Sequence, residues 1–296
     1  MEPKKLTIKD SALSFLSSFL LCQLGVIFAT ILTLIFYRFT NSDTDSFTSF
    51  LNSAVGYLIT ALALYVVMLL VFFFFNRKKD NKITQPIKLK KLAFYILIAI
   101  TSFFTLYPIV ICFDSLLVKC GISLSSLTYE LTTKNYFISL ISLVIAPAIC
   151  EELLFRGLIF KGLSNHGKIF SISITALMFC LFHMSISQTI YPMLMGLLLS
   201  VIMFYEQNIY YCIAVHMTNN FLSLTLSYFK INLIFNHWSY IVLAIILFLA
   251  FLFIVLMFTI KNNKKIESIK PTKVEKIYLF TTLGIMLFFW IAVNFI

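Results

Sequence analysis

Residues 137–160 read FISLISLVIAPAICEELLFRGLIF, an apolar run that contains the ionisable residues Glu151, Glu152 and Arg156. A helix rises about 1.5 Å per residue, so a run of this length can cross the roughly 30 Å hydrocarbon core of a bilayer. Ionisable groups at such depth cost about 2.5–3.5 kcal/mol each on insertion scales, so each needs a structural or functional reason. This stretch therefore predicts a membrane helix that carries a functional site.

The rest of the chain has the same apolar character. Of its 296 residues, 60% are hydrophobic and 12% are charged, and the mean hydropathy is +0.97. A soluble domain needs more polar surface than this. Long apolar runs are typical of membrane helices, whereas barrel strands alternate over short segments. We therefore predict an all-α fold, a polytopic transmembrane helical bundle of about eight or nine spans.

The predicted spans divide the chain into three regions. Region 1–136 holds three spans, 137–226 is the predicted catalytic core, and 227–296 holds two further spans. The fifth and sixth spans are short, and the last is either part of the bundle or an accessory anchor. The approximate spans are 13–37, 54–75, 92–117, 137–160, 169–183, 190–204, 209–228, 239–260 and 278–295.

Basic residues are concentrated in three segments, 4–9, 77–91 and 261–276. Such clusters favour the cytoplasmic side, and the six spans predicted between the second and third segments place all three on one side. We expect a multi-pass integral membrane protein with a cytoplasmic N-terminus, whose first span is too long for a cleaved signal peptide. The composition, rich in Lys, Asn, Ile and Phe, favours a bacterial plasma membrane.

The net charge of +11 is explained by these loops meeting anionic lipid head groups. No loop is long enough for a basic nucleic-acid-binding domain, so no nucleic acid partner is expected. The expected partners are membrane lipid and a membrane-associated protein or peptide substrate. The sequence leaves the oligomeric state open.

The two adjacent glutamates have different predicted surroundings. Glu152 and Arg156 are four residues apart and share a helix face, the geometry of an ion pair. Glu151 points about 100° away and lacks that partner, which makes it a candidate general base. The alternative is a helix end at which these side chains reach the lipid interface.

Two later spans add imidazole and amide groups. Phe179 and His183 form an F-x-x-x-H pattern, and His216 and Asn220 lie four residues apart on one helix face. Taken singly, each histidine is as compatible with packing as with catalysis. The helical rise of about 1.5 Å per residue, however, places both histidines and Asn220 within about two turns of the level of Glu151. The sequence therefore predicts one shared site.

A carboxylate, two imidazoles and a carboxamide can activate water against an acyl carbon. We expect Glu151 to take a proton from water and His183 to help hold that water. His216 and Asn220 would donate hydrogen bonds to the developing oxyanion.

Metal use is open at this stage. Glu151, His183 and His216 also match the ligand types of a catalytic zinc with an open water position, so a divalent metal such as zinc is a possible cofactor. A thiol nucleophile is disfavoured because the nearby cysteines lie in apolar surroundings. Those cysteines are Cys150, Cys180 and Cys212.

The motifs resemble, in order and on separate helices, those of the CPBP family of intramembrane metalloproteases. This family comprises the type II CAAX prenyl endopeptidases and bacterial relatives, including abortive-infection and bacteriocin self-immunity proteins. The matching motifs are E-E-x-x-x-R (Glu151, Glu152, Arg156), F-x-x-x-H (Phe179, His183) and H-x-x-x-N (His216, Asn220). The resemblance covers about residues 137–226.

The resemblance implies an intramembrane endopeptidase that hydrolyses a peptide bond of a membrane-associated protein or peptide. It implies that Arg156 and Phe179 support the site. The implied catalytic set is Glu151, Glu152, His183, His216 and Asn220.

The competing hypothesis is a non-enzymatic membrane protein that retains the polar cluster, such as a bacteriocin immunity partner, a transporter subunit or a scaffold. A transporter is disfavoured because the sequence shows neither paired repeats nor Gly- or Pro-broken half-helices.

Overall fold

The computed structural model describes residues 5–40, 44–77, 79–122, 124, 131–231 and 268–295. Within these residues, every principal element is a helix, as the all-α prediction requires. The helices are α1 (Ile8–Thr40), α2 (Thr44–Leu51), α3 (Ala54–Asn76), α4 (Leu89–Lys119), α5 (Thr133–His166), α6 (Lys168–Phe182), α7 (Ile190–Glu206), α8 (Ile209–Tyr228) and α9 (Lys273–Phe295).

Five of these helices, α1, α3, α4, α5 and α9, are long and apolar enough to cross a membrane. The helices α6 and α7 are apolar but shorter, and α8 carries His216, Asn219 and Asn220 along its 20 residues. The count of eight or nine spans is therefore not confirmed by the described part of the chain. The span expected at 239–260 lies outside the described residues.

The outer faces of the long helices are apolar, as contact with lipid requires. Phe28 and Phe36 on α1 and Phe74 on α3 are among many large apolar side chains that are mostly exposed. Apolar exposure on this scale marks a surface that is covered by something other than water.

The central helix α5 changes its winding on both sides of the glutamate pair. Residues Leu140–Ile145 and Leu153–Ile159 are π-helical, and the α-helical turns between them carry Glu151 and Glu152. Such π segments are rare and occur frequently at functional sites.

Pro147 gives a physical reason for the first π segment. A proline has no backbone N–H, so neither the Leu143 carbonyl four residues earlier nor the Ser142 carbonyl five residues earlier can bond to it. Two side chains supply the missing donors. The Tyr65 hydroxyl donates to the Ser142 carbonyl at 3.0 Å, and Asn220 Nδ2 donates to the Leu143 carbonyl at 3.1 Å.

The second π segment is bound from outside α5 in the same way. Asn81 Nδ2 donates to the Gly157 carbonyl at 2.7 Å, and Ser11 Oγ donates to the Ile159 carbonyl at 2.9 Å. Backbone groups in a lipid-spanning bundle must find partners within the protein. The shape of α5 therefore depends on residues far away in the sequence.

The end of α5 packs closely against the start of α1 at Gly162. A Cβ atom added there would overlap Ser11 Oγ and lie 2.5 Å from the Thr7 carbonyl oxygen. Such distances are shorter than any van der Waals contact, so only glycine permits this approach.

The variant Gly162→Ala tests this packing. We expect it to lower the stability by about 1–3 kcal/mol, because the added methyl group forces α1 and α5 apart. The matched control is Gly284→Ala on α9, where an added Cβ meets no atom within 4 Å. The control should melt at or slightly above the wild-type temperature, since alanine favours the helix by up to about 1 kcal/mol. Thermal melting of the purified variants in detergent is the measurement, and equal melting of the two would contradict the packing.

Candidate active site

The site is organised around a buried ion pair within α5. Arg156 Nη1 lies 2.8 Å from Glu152 Oε1, and both side chains are 0% exposed. The spacing of four residues predicted this pairing. Removing one partner from such a pair strands the other charge, at a cost of about 3–5 kcal/mol.

His216 on α8 also contacts the Glu152 carboxylate. Its Nδ1 lies 2.8 Å from Glu152 Oε1. An ionised carboxylate can only accept hydrogen bonds, so Nδ1 carries the hydrogen, and Nε2 is an acceptor when the ring is neutral. Glu152 therefore fixes both the orientation and the tautomer of this imidazole.

Glu151 is the less constrained of the two glutamates. Its Oε2 lies 3.9 Å from His216 Nε2, beyond hydrogen-bond distance, and its side chain is 13% exposed. Among the described residues this oxygen has no hydrogen-bond partner. The Glu151 side chain is thus partly exposed while its Oε2 is buried, and among the described residues only His216 approaches this oxygen as an ion-pair partner.

Phe179 on α6 contacts several members of the site. The Arg156 guanidinium carbon lies 4.6 Å from its ring centroid, a cation–π contact. The rings of His183 and His216 meet Phe179 at centroid distances of 4.9 and 6.0 Å, both close to edge-on. Phe179 therefore brings the groups of three helices together, which is a larger part than the supporting one that the motif implied.

His183 caps the end of α6. Its Nδ1 lies 2.8 Å from the Phe179 carbonyl oxygen, which can only accept, so Nδ1 again carries the hydrogen. The neutral ring then presents Nε2 as an acceptor, the form suited to holding a water or a metal ion.

Arg156 also reaches α7, where Nη2 donates to the Gly196 carbonyl at 3.2 Å. A Cβ at Gly196 would lie 3.0 Å from Ala176 Cα, so glycine allows α6 and α7 to pack closely here. One buried side chain thereby connects α5, α6 and α7.

The amide of Asn220 is directed at the backbone of α5, through the bond to Leu143 described above. This bond uses one of its two N–H groups. The neighbouring Asn219, which the motif did not single out, is buried and accepts a 2.7 Å hydrogen bond from the Tyr191 hydroxyl. In the sequence, Asn219 could have been noticed as a polar residue within the largely apolar helix α8.

The donor set does not fit a resident metal ion in this arrangement. In the described part of the chain, no three side chains of His, Cys, Asp or Glu lie close enough together to hold one. Glu151 and His216 approach each other, but a catalytic zinc needs a third protein ligand. No reaction step is therefore assigned to a metal.

The arrangement separates two functions between adjacent carboxylates. Glu152 is neutralised and holds Arg156 and His216, whereas Glu151 keeps a free oxygen beside the imidazole. A carboxylate beside an acceptor nitrogen can abstract a proton from a bound water, which is general base chemistry. The geometry is compatible with hydrolysis.

A comparison with protein-family models matches residues 133–222 to the family described as "Type II CAAX prenyl endopeptidase Rce1-like". No curated protein and no solved structure was found to match the chain. The matched segment contains all three motifs and the whole buried charge network. With five helices able to cross a bilayer among its described residues, the chain is an integral membrane protein. The resemblance expected from the motifs is confirmed over residues 133–222, which match a model of the CPBP, or CAAX protease, family.

Proposed function

We propose that this protein is an intramembrane endopeptidase in which Glu151 activates the hydrolytic water. The observation that carries the proposal is the unpaired carboxylate of Glu151, 3.9 Å from His216 Nε2 and next to the neutralised Glu152–Arg156 pair. It lies within the segment that matches a prenyl endopeptidase family. In the non-enzymatic alternative, the protein contains the same network of charged residues but cleaves no substrate. The experiments below separate the two hypotheses.

In the proposed reaction, Glu151 takes a proton from water, and the resulting hydroxide attacks the carbonyl carbon of the scissile peptide bond. The tetrahedral intermediate collapses with cleavage of the C–N bond, and Glu151 returns the proton to the leaving amine. His183 Nε2 accepts a hydrogen bond from the water. When protonated, His216 Nε2 donates to the oxyanion, and the second N–H of Asn220 is a further donor.

Glu152 contributes by holding His216. In the 2.8 Å bond between the two side chains, His216 Nδ1 donates and Glu152 Oε1 accepts, so the position of the imidazole ring follows that of the carboxylate. The Arg156 contact in turn fixes the position of the same oxygen. Glu152 therefore orients the imidazole and leaves proton transfer to Glu151.

The proposed substrate is a membrane-associated protein or peptide that presents an extended segment to the bundle. The family description names prenylated CAAX substrates, and a lipid-modified C-terminus is one way to bring a peptide bond into the bilayer. We further propose a bacterial plasma membrane and a cytoplasmic N-terminus, on the basis of the basic loops. Suitable probes are a fluorogenic peptide with a prenylated cysteine and its unprenylated twin.

The matched variants Glu151→Gln and Glu152→Gln separate catalysis from stability. Glu151→Gln should reduce cleavage of the prenylated peptide by about 10²–10⁴-fold, the usual contribution of a general base, with little change in melting temperature. Glu152→Gln should lower the stability by about 3–5 kcal/mol, because Arg156 loses its counter-charge inside the bundle. The measurements are initial cleavage rates and thermal melting in detergent.

The outcome for Glu151→Gln decides the proposal. A fully active Glu151→Gln enzyme would overturn it. If wild-type protein cleaves neither probe, membrane proteomes of cells with wild-type and Glu151→Gln protein are compared for new peptide termini. No difference between the two proteomes would favour the non-enzymatic alternative.

Metal dependence has its own test. Because the described donors do not form a three-ligand set, we expect cleavage to persist after dialysis against a strong chelator. Added zinc should change the rate less than about 10-fold. A loss that zinc restores would show instead that His183 swings towards Glu151 and His216 to complete a metal site.

A further inference from the structure

The loop that follows His183 is held by the last helix of the described chain. Residues 184–189 connect α6 to α7, and Met184 adopts a left-handed backbone conformation with φ of 50°. A bulky residue keeps such a conformation only where its surroundings hold it. The neighbours of this loop therefore determine the backbone next to His183.

Asn294 on α9 contacts this loop at two points. Its Oδ1 accepts a 2.7 Å hydrogen bond from the Ile186 N–H, and its Nδ2 lies 3.4 Å from the Met184 carbonyl oxygen. Nδ2 also donates to the Trp290 carbonyl at 2.7 Å, one turn earlier on α9. The amide is thus fixed on its own helix and binds the loop on both sides of Ser185.

The helix α9 is itself anchored in the bundle. Leu279 and Met286 are buried in the core that α9 shares with α1 and α6, and Trp290 packs against the same core. Asn294 lies 72 positions beyond the end of the family-matched segment at residue 222. The contact therefore joins the matched domain to a helix outside it.

We propose that Asn294 is a positioning residue that fixes the backbone after His183 and, through it, the direction of the His183 imidazole. The bond from His183 Nδ1 to the Phe179 carbonyl holds the ring locally, at the C-terminal end of α6. Helix ends fray, because their last carbonyls lack intrahelical donors. Asn294 binds the backbone that follows His183 and therefore opposes this fraying. The effect of Asn294 on catalysis through His183 rests on the proposed function. The hold of Asn294 on the loop backbone does not depend on it.

Full-length variants in lipid nanodiscs test this role. Asn294→Leu removes both loop contacts at similar volume, whereas Asn294→Asp keeps an oxygen acceptor for the Ile186 N–H. Val293→Leu is the matched control, since Val293 is mostly exposed on the adjacent position. Hydrogen–deuterium exchange of the Ile186 amide should rise about 10-fold or more in Asn294→Leu and stay near the wild-type rate in the other two.

Cleavage of the prenylated peptide supplies the second readout. Asn294→Leu should lower kcat by about 10–100-fold with KM nearly unchanged, and Asn294→Asp should restore most of the rate. Unchanged Ile186 exchange in Asn294→Leu overturns the inference whatever the activity. Faster exchange with unchanged kcat also overturns it, while the proposed function stands. If the wild-type protein cleaves neither probe and its membrane proteome shows no new peptide termini, the proposed function fails, and selective loss of Ile186 protection still supports the hold of Asn294 on the loop.

Discussion

Inside a lipid-spanning bundle a charge must be paired, and the Glu152–Arg156 pair is where this chain meets that constraint. The pair is fully buried, and its partners come from three of the helices around it. His216 on α8 shares the carboxylate, while Phe179 on α6 and the Gly196 carbonyl on α7 receive the guanidinium. The positions of three helices relative to α5 are therefore specified by one ion pair.

A second constraint concerns the backbone of α5. Pro147 has no N–H to offer the carbonyls of the preceding turn, and two of these carbonyls accept hydrogen bonds from Tyr65 on α3 and Asn220 on α8. Without water in the bilayer core, these side chains help to satisfy the backbone of the π segment. Asn220, which belongs to the H-x-x-x-N motif, thus stabilises the helix that carries Glu151. Replacing it would disturb this helix, so a loss of activity in an Asn220 variant has a structural explanation.

The sequence predicted the features that depend on local spacing. The all-α class follows from long apolar runs, and the Glu152–Arg156 bond follows from a spacing of four residues. The π segments were not predictable, because the carbonyls they release are bound by residues 76 to 148 positions away. The same holds for Asn294, whose partners lie more than 100 positions earlier. The predicted count of eight or nine spans is not confirmed in the described residues, because α6 and α7 are shorter than a full span and the span expected at 239–260 lies outside those residues.

Two identical residues next to each other can have different chemistry when their surroundings differ. Glu152 Oε1 is held by a guanidinium and an imidazole at once, so the negative charge of this carboxylate serves two partners. Glu151 Oε2 has no hydrogen-bond partner among the described residues and lies 3.9 Å from His216 Nε2. The two neighbours therefore differ in what holds them, because the guanidinium and the imidazole both approach Glu152 to hydrogen-bond distance and only the imidazole approaches Glu151. This difference comes from the helices that pack against α5, and the adjacent glutamates alone do not reveal it.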